Sequence, residues 1–141
     1  MVLVDANVLL YAVNSAAAHH GPSLDWLERA LGGRETVGFA WAVLLAFLRL
    51  GTNPAVLPAP LAIAEATDQV SSWLAAPAAV TVEPTSRHAT VLAGLLAGTG
   101  SAGNLVGDAH LAALAIEHDA EIVTFDRDFD RFAGVHSIRP N

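Results

Sequence analysis

The sequence predicts an α/β fold: one domain with a central, mostly parallel sheet of about four to five short strands flanked by helices. Three observations predict it. Short runs rich in Val, Ile, Leu and Thr recur along the chain. Stretches with helical spacing lie between them, and strands alternating with helices argue for a parallel sheet covered on both faces. The 141 residues, 53% of them apolar, suit a single domain with a sizeable core, and no long linker divides them, so one domain is expected over 1–141.

The elements follow in order. Val2-Leu3-Val4 reads as a buried strand. Asp5 and Asn7 lead into a helix ending near Val13. Pro22 to Leu31 is a second helix, with Leu24, Leu27 and Leu31 on one face and Gly32-Gly33 ending it. Thr36 to Phe39 is a short strand. Trp41 to Leu50 is helical and apolar nearly all round, so it is expected to be buried or at an interface. Asn53-Pro54 through Pro58 and Pro60 is a turn-rich break. Leu61 to Ala75 is a helix closed by Pro77, Val80 to Val82 a strand, and Ser86 to Ala97 a helix. Gly98 to Gly103 is a Gly-rich loop, and Asn104 can cap a helix from about Leu105 to His118. Glu121 to Thr124 is a strand, Asp126 to Asp130 an acidic loop, and Val135 to Ile138 a last strand.

Composition removes several classes of function. Cys is absent, which excludes a disulfide scaffold and thiolate metal sites and suits a reducing cytosol. All seven basic residues are Arg, so every Lys-based mechanism is excluded, Walker A loops and Schiff bases among them. The 28 Ala residues together with Arg in place of Lys point to a GC-rich genome rather than to a function. A formal charge of −7 gives no global basic footprint for nucleic acid, so any such binding needs a local Arg patch or metal ions. Met1 to Asp5 reaches an acid too early for a signal peptide, and the apolar stretch Gly38 to Leu48 is far short of the ~20 residues that span a bilayer. A soluble, cytoplasmic protein with no membrane partner is expected.

In open parallel sheets, ligands gather beyond the carboxyl ends of the strands. Asp5 follows the first strand, and Asp126 and Asp128 follow the strand at 121–124. Asp108 lies in the first turns of the helix feeding that strand. Taken singly, each acid has a structural explanation. Asp5 can cap the helix starting at Ala6, Asp108 can complement a helix dipole, and Asp126 and Asp128 can form Asx turns. Asp130 can pair with Arg127 or Arg131. Taken jointly, three separated regions aim carboxylates at one spot. Convergent carboxylates repel, and a hard divalent cation such as Mg²⁺ or Mn²⁺, which prefers oxygen ligands, resolves the conflict. Such an ion polarises a phosphodiester and lowers the pKa of an attacking water.

Three segments carry a family resemblance: Val4-Asp5-Ala-Asn-Val-Leu-Leu-Tyr-Ala12, Gly107-Asp108-Ala-His-Leu-Ala-Ala-Leu-Ala115 and Val123-Thr-Phe-Asp126-Arg-Asp128-Phe129. Together they resemble the PIN domain, and more narrowly the VapC-type ribonuclease toxins of toxin–antitoxin pairs, in order and spacing across essentially the whole chain. Trp41 to Leu50 followed by Thr52-Asn53-Pro54 is also similar to that family's central helix. The resemblance implies a Mg²⁺- or Mn²⁺-dependent endoribonuclease that acts on RNA, is restrained by a cognate VapB-type antitoxin and forms a homodimer. It implies Asp5, Asp108 and Asp126 as catalytic metal ligands, with Asp128 auxiliary and Asn7 at the polar position beside the first acid. The sequence departs from the family at one place. The family usually carries a Glu one position before an aromatic-Leu-Arg run, and here that position is Ala46, before Phe47-Leu48-Arg49. No acid occurs from Thr36 to Ala64, and Glu35 is expected at the opposite edge of the sheet. Weaker metal binding and reduced activity are the expected consequences.

Other signals weigh less. Gly98 to Gly103 spells G-x-G-x-x-G, but it follows a helix rather than a strand, so it is not a dinucleotide fingerprint. His19, His20, His88 and His136 are expected in loops or at the surface, and His110 and His118 to point away from Asp108. Arg49 is read evenly as a snorkelling or paired side chain and as a phosphate or antitoxin contact. Arg127, between two acids, is a further candidate for substrate contact, as is Asn7. Trp26, Trp41, Trp73 and the Leu-rich helices leave apolar surface suited to a second copy or an antitoxin helix. A non-catalytic binding module of the same fold is the competing reading, motivated by Ala46. An aspartyl phosphatase is disfavoured by Asn7 two residues after Asp5, and a receiver domain by the missing Lys.

Overall fold

The computed structural model of the chain describes residues 1–99, 103 and 105–141. The expected caps and loop at Gly100, Ser101, Ala102 and Asn104 lie outside the described residues. Five strands are described: β1 Val2–Val4, β2 Val37–Ala40, β3 Ala79–Val82, β4 Glu121–Val123 and β5 Ser137–Ile138. Six helices accompany them: α1 Ala6–Val13, α2 His20–Leu31, α3 Trp41–Gly51, α4 Ile63–Ala75, α5 His88–Ala97 and α6 Leu105–Glu117.

The sheet order is β3-β2-β1-β4-β5, and every pairing is parallel. The expected mostly parallel sheet is thus fully so. β1 is central, and its three residues are buried, as are all four of β2. Continuous apolar runs of this kind mark strands covered on both faces. From β1 the chain steps outward to β2 and β3, then returns to the other side of β1 for β4 and β5. The direction of winding therefore reverses between β1 and β4, and the crevice at their carboxyl ends is where such sheets take ligands.

Local chemistry sets the ends of the elements. Asp5 caps α1, accepting from the Ala6 N–H at 2.7 Å, and Gly32 ends α2. α3 starts directly from β2 with no connecting residue, which fixes its first turn against the sheet edge. α6 buries Ala109, Ala112, Ala113 and Ala115 with Leu111 and Leu114, small side chains that let the helix approach the core closely. The core's aromatic side chains are Phe39, Phe47, Trp73, Phe129 and Phe132, with Phe47 and Trp73 edge to face at 4.8 Å.

The structure moves some boundaries. α2 starts two residues before Pro22, because proline needs no helical N–H partner in a first turn. The helix expected from Leu61 starts at Ile63. The segment read as an acidic loop is a 3-10 helix, Arg127–Arg131, capped by Asp126. α3 is buried along Val43, Leu44 and Phe47 but exposes Trp41 and Leu45. Among the described residues no helix is long and apolar enough to cross a membrane.

The sheet leaves no room at Gly38, which pairs with Leu3 across β1 and β2. A Cβ there would meet Leu3 Cδ2 at 2.5 Å and Val82 Cγ2 at 2.6 Å. Overpacking of this kind costs ~1–3 kcal/mol. Gly38→Ala is therefore expected to lower the urea midpoint by that stability without changing the denaturant slope, and equilibrium unfolding monitored by tryptophan fluorescence checks it.

Candidate metal centre

The centre grows out of the ends of β1 and β4. The Asp5 N–H donates to the Val123 carbonyl at 3.0 Å, which holds the first residue after β1 against the last residue of β4. Beyond Val123 the chain places Thr124, which is buried. Its hydroxyl donates to Asp5 Oδ2 at 2.7 Å and accepts from the Asn7 Nδ2 and Asp126 N–H groups, both at 3.0 Å. Asn7 Nδ2 also donates to Asp5 Oδ2 at 3.1 Å, and its Oδ1 accepts from the Phe125 N–H at 3.2 Å. Thr124 and Asn7 thus bind Asp5 to the segment carrying Asp126. Asn7 Nδ2 points at the pair formed by Asp5 Oδ2 and the Thr124 hydroxyl, which holds Asn7 beside the first acid.

Asp126 continues the pattern. Its Oδ1 accepts from the Asp128 N–H at 2.8 Å, so it caps the 3-10 helix much as Asp5 caps α1. Asp108 comes from the first turn of α6. Oxygen atoms of Asp108, Asp126 and Asp128 lie within 4.8 Å of one another, the one such group among the described residues. Asp5 and Asp108 line one cavity of ≈ 190 Å³ together with Ala42, Ala46 and His110. The cap foreseen for Asp5 and the Asx turn foreseen for Asp126 are both present and coexist with the cluster.

The electrostatics are those of crowded acids. Burial pushes the Asp5 carboxyl above its ordinary value, and the charge of Asp126 adds to this, against the lowering effect of the Thr124 and Ala6 hydrogen bonds. Burial, then the charges of Asp5, Asp126 and Asp128, push Asp108 up to about 6. These four side chains offer oxygen ligands only, negatively charged and convergent. That donor set fits a hard divalent cation of the Mg²⁺ or Mn²⁺ kind.

The remaining candidates fall in different places. Ala46 faces the cavity, so an acid at this position would reach the centre. Glu35 pairs with the N-terminal amine at 3.5 Å, at the amino end of the sheet, far from the centre's edge. Arg49 is exposed and lines a groove between α3 and α4 with Leu45, Leu48 and Ile63, not the acid cavity. Arg127 is exposed on the 3-10 helix, with no ion pair among the described residues. Arg131 pairs with Asp128 at 3.6 Å, and Asp130 accepts from the Ser137 hydroxyl instead of pairing with Arg.

Sequence reasoning missed Thr124 and misplaced several histidines. His88 is not a loose surface residue: it opens α5 and touches both Glu117 and His110. His110 does not turn away from Asp108's surroundings but lines the same cavity. His19 stacks on Phe125 at 4.2 Å, and His20 bonds the Tyr11 carbonyl. No local pattern marks Thr124, whose partners Asp5 and Asn7 lie 119 and 117 residues away. The His contacts join distant segments and leave no spacing to read.

Comparison with known proteins identifies the family and the fold. The family model described as PIN domain matches residues 2–135. Ribonuclease VapC37 of Mycobacterium tuberculosis is 58% identical over 140 residues, 99% of this chain and 97% of that protein. Ribonuclease VapC33 of the same species is 39% identical over 99% of this chain and 98% of that protein. Two solved structures share the fold, each with a TM-score of 0.72. One is VapBC2 from Rickettsia felis bound to a DNA fragment from its promoter, 20% identical with 100% of both chains covered. The other is Mycobacterium tuberculosis VapC20, described as a sarcin-ricin loop cleaving toxin, 17% identical over 99% of this chain and 100% of that one.

Two expectations follow. Thr124→Val keeps the shape but leaves the Asn7 and Asp126 N–H groups without their shared acceptor. A loss of ~1–3 kcal/mol in stability is expected, with weaker divalent-cation binding, read by urea unfolding and by calorimetric titration. The second concerns pH. The folded state holds the Asp108 proton up to about 6, whereas an unfolded carboxyl releases it near 3.8. That group's contribution to stability is fully present below the lower value and is lost as pH rises through the higher one. A cation removes the repulsion that appears once the acids ionise. Mg²⁺ is therefore expected to raise the melting temperature more at about pH 7.5 than at about pH 5, and Asp108→Asn to flatten the difference.

Proposed function

The chain belongs to the PIN domain family, and from that premise we propose that it is a metal-dependent endoribonuclease, hydrolysing RNA phosphodiester bonds as the toxin of a toxin–antitoxin pair. The observation that carries the reading is the convergence of Asp108, Asp126 and Asp128 beside the cavity that Asp5 lines. The relatives named as ribonucleases supply the reaction class.

Asp5, Asp108 and Asp126 would hold Mg²⁺ or Mn²⁺, with Asp128 auxiliary. When bound, that ion neutralises the acids, orients and polarises the phosphodiester and lowers the pKa of the attacking water. The protein's own groups do the rest. Thr124 and Asn7 hold the Asp5 carboxylate in place, and the Ala6 N–H occupies its other oxygen. Asp126, fixed by its cap to the 3-10 helix, keeps its second oxygen for the centre. Asp128, at the outer side and ion-paired with Arg131, is placed to orient water. Arg127, exposed on the 3-10 helix between Asp126 and Asp128, Arg49, exposed on the α3–α4 groove, and Asn7 are the groups that would contact substrate.

The partners follow from the same reading. A VapB-type antitoxin and a second copy of the chain would cover apolar surface such as Trp41, Leu45 and Ile63, which are 45%, 56% and 75% exposed. The solved neighbour whose name pairs toxin with antitoxin, VapBC2, supports the antitoxin. A cytoplasmic location suits the absence of Cys.

Ala46 favours a second reading, a binding module with weakened catalysis, because the wall of the cavity offers a methyl group where the family usually carries an acid. One pair of measurements separates the two. Incubation of purified chain with total RNA and Mn²⁺ is expected to give discrete fragments that EDTA, Asp5→Asn or Asp108→Asn abolishes with the fold intact by circular dichroism. Ala46→Glu is expected to increase the rate. Unchanged cleavage by both Asn variants would remove the site assignment, and no cleavage by either the natural chain or Ala46→Glu would leave the binding module.

A further inference from the structure

An aromatic cluster adjoins the acids without belonging to them. The chain leaves β4 through Thr124, Phe125 and Asp126, and the side chains of the outer two serve the centre. The Phe125 ring instead stacks on His19, from the link between α1 and α2, with ring centres 4.2 Å apart and planes 16° from parallel. Tyr11 of α1 is turned edgewise to both, at 5.3 Å from His19 and 5.4 Å from Phe125. Two nearly equal distances put Tyr11 beside the stack and not on its end. His20 Nδ1, 2.8 Å from the Tyr11 carbonyl oxygen, holds the link onto α1. His19 itself is exposed, so the outer face of its ring is open to solvent.

Position and charge point to what this face takes. The Thr124 N–H donates to the Ile138 carbonyl at 3.0 Å, so Arg139, the first residue after β5, stands at the same edge of the sheet as Asp5 and Asp126. Arg139 Nη2 donates to the Phe125 carbonyl at 3.1 Å, and its guanidinium carbon lies 5.9 Å from the centre of the Phe125 ring. Among the described residues Arg139 has no carboxylate partner, and its fork keeps further donors for an anion. An open aromatic face beside a cation, one residue along the chain from Asp126, is the combination with which proteins hold single-stranded nucleic acid. Bases stack on the rings, and cations follow the backbone. Stacking engages the ring face and does not depend on which ring nitrogen carries a proton.

We propose that the His19–Phe125 stack and Arg139 form a subsite for a nucleotide of single-stranded RNA flanking the scissile phosphate, with the base stacked on the open face of His19 and a phosphate taken by Arg139. Phe125 and Tyr11 are positioning residues that hold the His19 ring. The inference rests on the ribonuclease reading and adds to it a requirement for unpaired bases. A duplex buries its base faces in its own stack and has none to offer His19.

The test measures binding of a short fluorescent single-stranded RNA of mixed sequence, and of the same strand annealed to its complement, in Ca²⁺. The proteins are the natural chain, His19→Ala, His19→Trp and Arg139→Gln, and melting curves establish that each is folded. His19→Ala is expected to weaken single-strand binding about five- to tenfold, the lower range for loss of one stacked base, with duplex binding unchanged. His19→Trp, which keeps a ring, is expected to bind the single strand at least as tightly as the natural chain. Arg139→Gln is expected to weaken binding and to lower the slope of log affinity against log salt by about 0.7, the share of one phosphate contact. Unchanged single-strand affinity in His19→Ala, an equal loss of duplex binding, no recovery in His19→Trp, or no single-strand binding by the natural chain would overturn the proposal. Cleavage of the same strand in Mn²⁺, with Asp5→Asn as control, is read separately. Metal-dependent cleavage with binding indifferent to His19 removes only this inference, whereas binding that depends on His19 without cleavage removes the ribonuclease reading and leaves the subsite.

Discussion

Asp5, Asp108, Asp126 and Asp128 converge where β1 and β4 end, and their mutual repulsion is the constraint on which the rest of the site depends. A parallel sheet that reverses its winding between two neighbouring strands brings two carboxyl ends side by side and opens a crevice above them. Each acid is held there by an ordinary structural device. Asp5 and Asp126 cap the segments that follow them, and Asp108 sits in the first turn of α6. Thr124 couples the two strand ends with a single hydroxyl that serves Asp5, Asn7 and Asp126. The protein thus keeps the carboxylates in place with donors it needs anyway, and the uncompensated charge that remains is of the kind a divalent cation would relieve.

The charge is distributed unevenly around the cavity. Asp5 after β1 and Asp108 of α6 supply its carboxylates, with Asp126 and Asp128 adjoining Asp108, while α3 supplies Ala42, Val43 and Ala46. The one apolar wall coincides with the family's missing acid. With a formal charge of −7, the chain has no broad electrostatic attraction for nucleic acid. Affinity for RNA on this account comes from the cation, which reverses the local sign, and from isolated groups such as Arg127.

Much of this was readable in the sequence, and the division has a physical basis. β1, the helix after Asp5, the Gly32 end of α2 and the alternation of strands with helices all follow from local patterns, and the structure reproduces them within a few residues. The four acids were readable because strand ends and helix starts are themselves local features. Thr124 was not, because a β-branched residue at a strand end reads as strand, and its role depends on Asn7, 117 residues away. The Glu117–His88–His110 chain was hidden for the same reason, since it exists only once α5 packs on α6. The 3-10 turn at Arg127–Arg131 reads as loop in the sequence because five residues carry too little periodicity to distinguish the two.

The central claim is that the carboxylates at the β1–β4 crevice form one cation site. A crystal of the protein grown in Mn²⁺ tests it most directly, through an anomalous difference map. The account predicts a peak bonded to oxygens of Asp108 and Asp126 and within reach of Asp5, at ligand distances of about 2.0–2.3 Å, disappearing in Asp108→Asn. A well-ordered crevice with no peak, or Mn²⁺ bound only elsewhere, would contradict it.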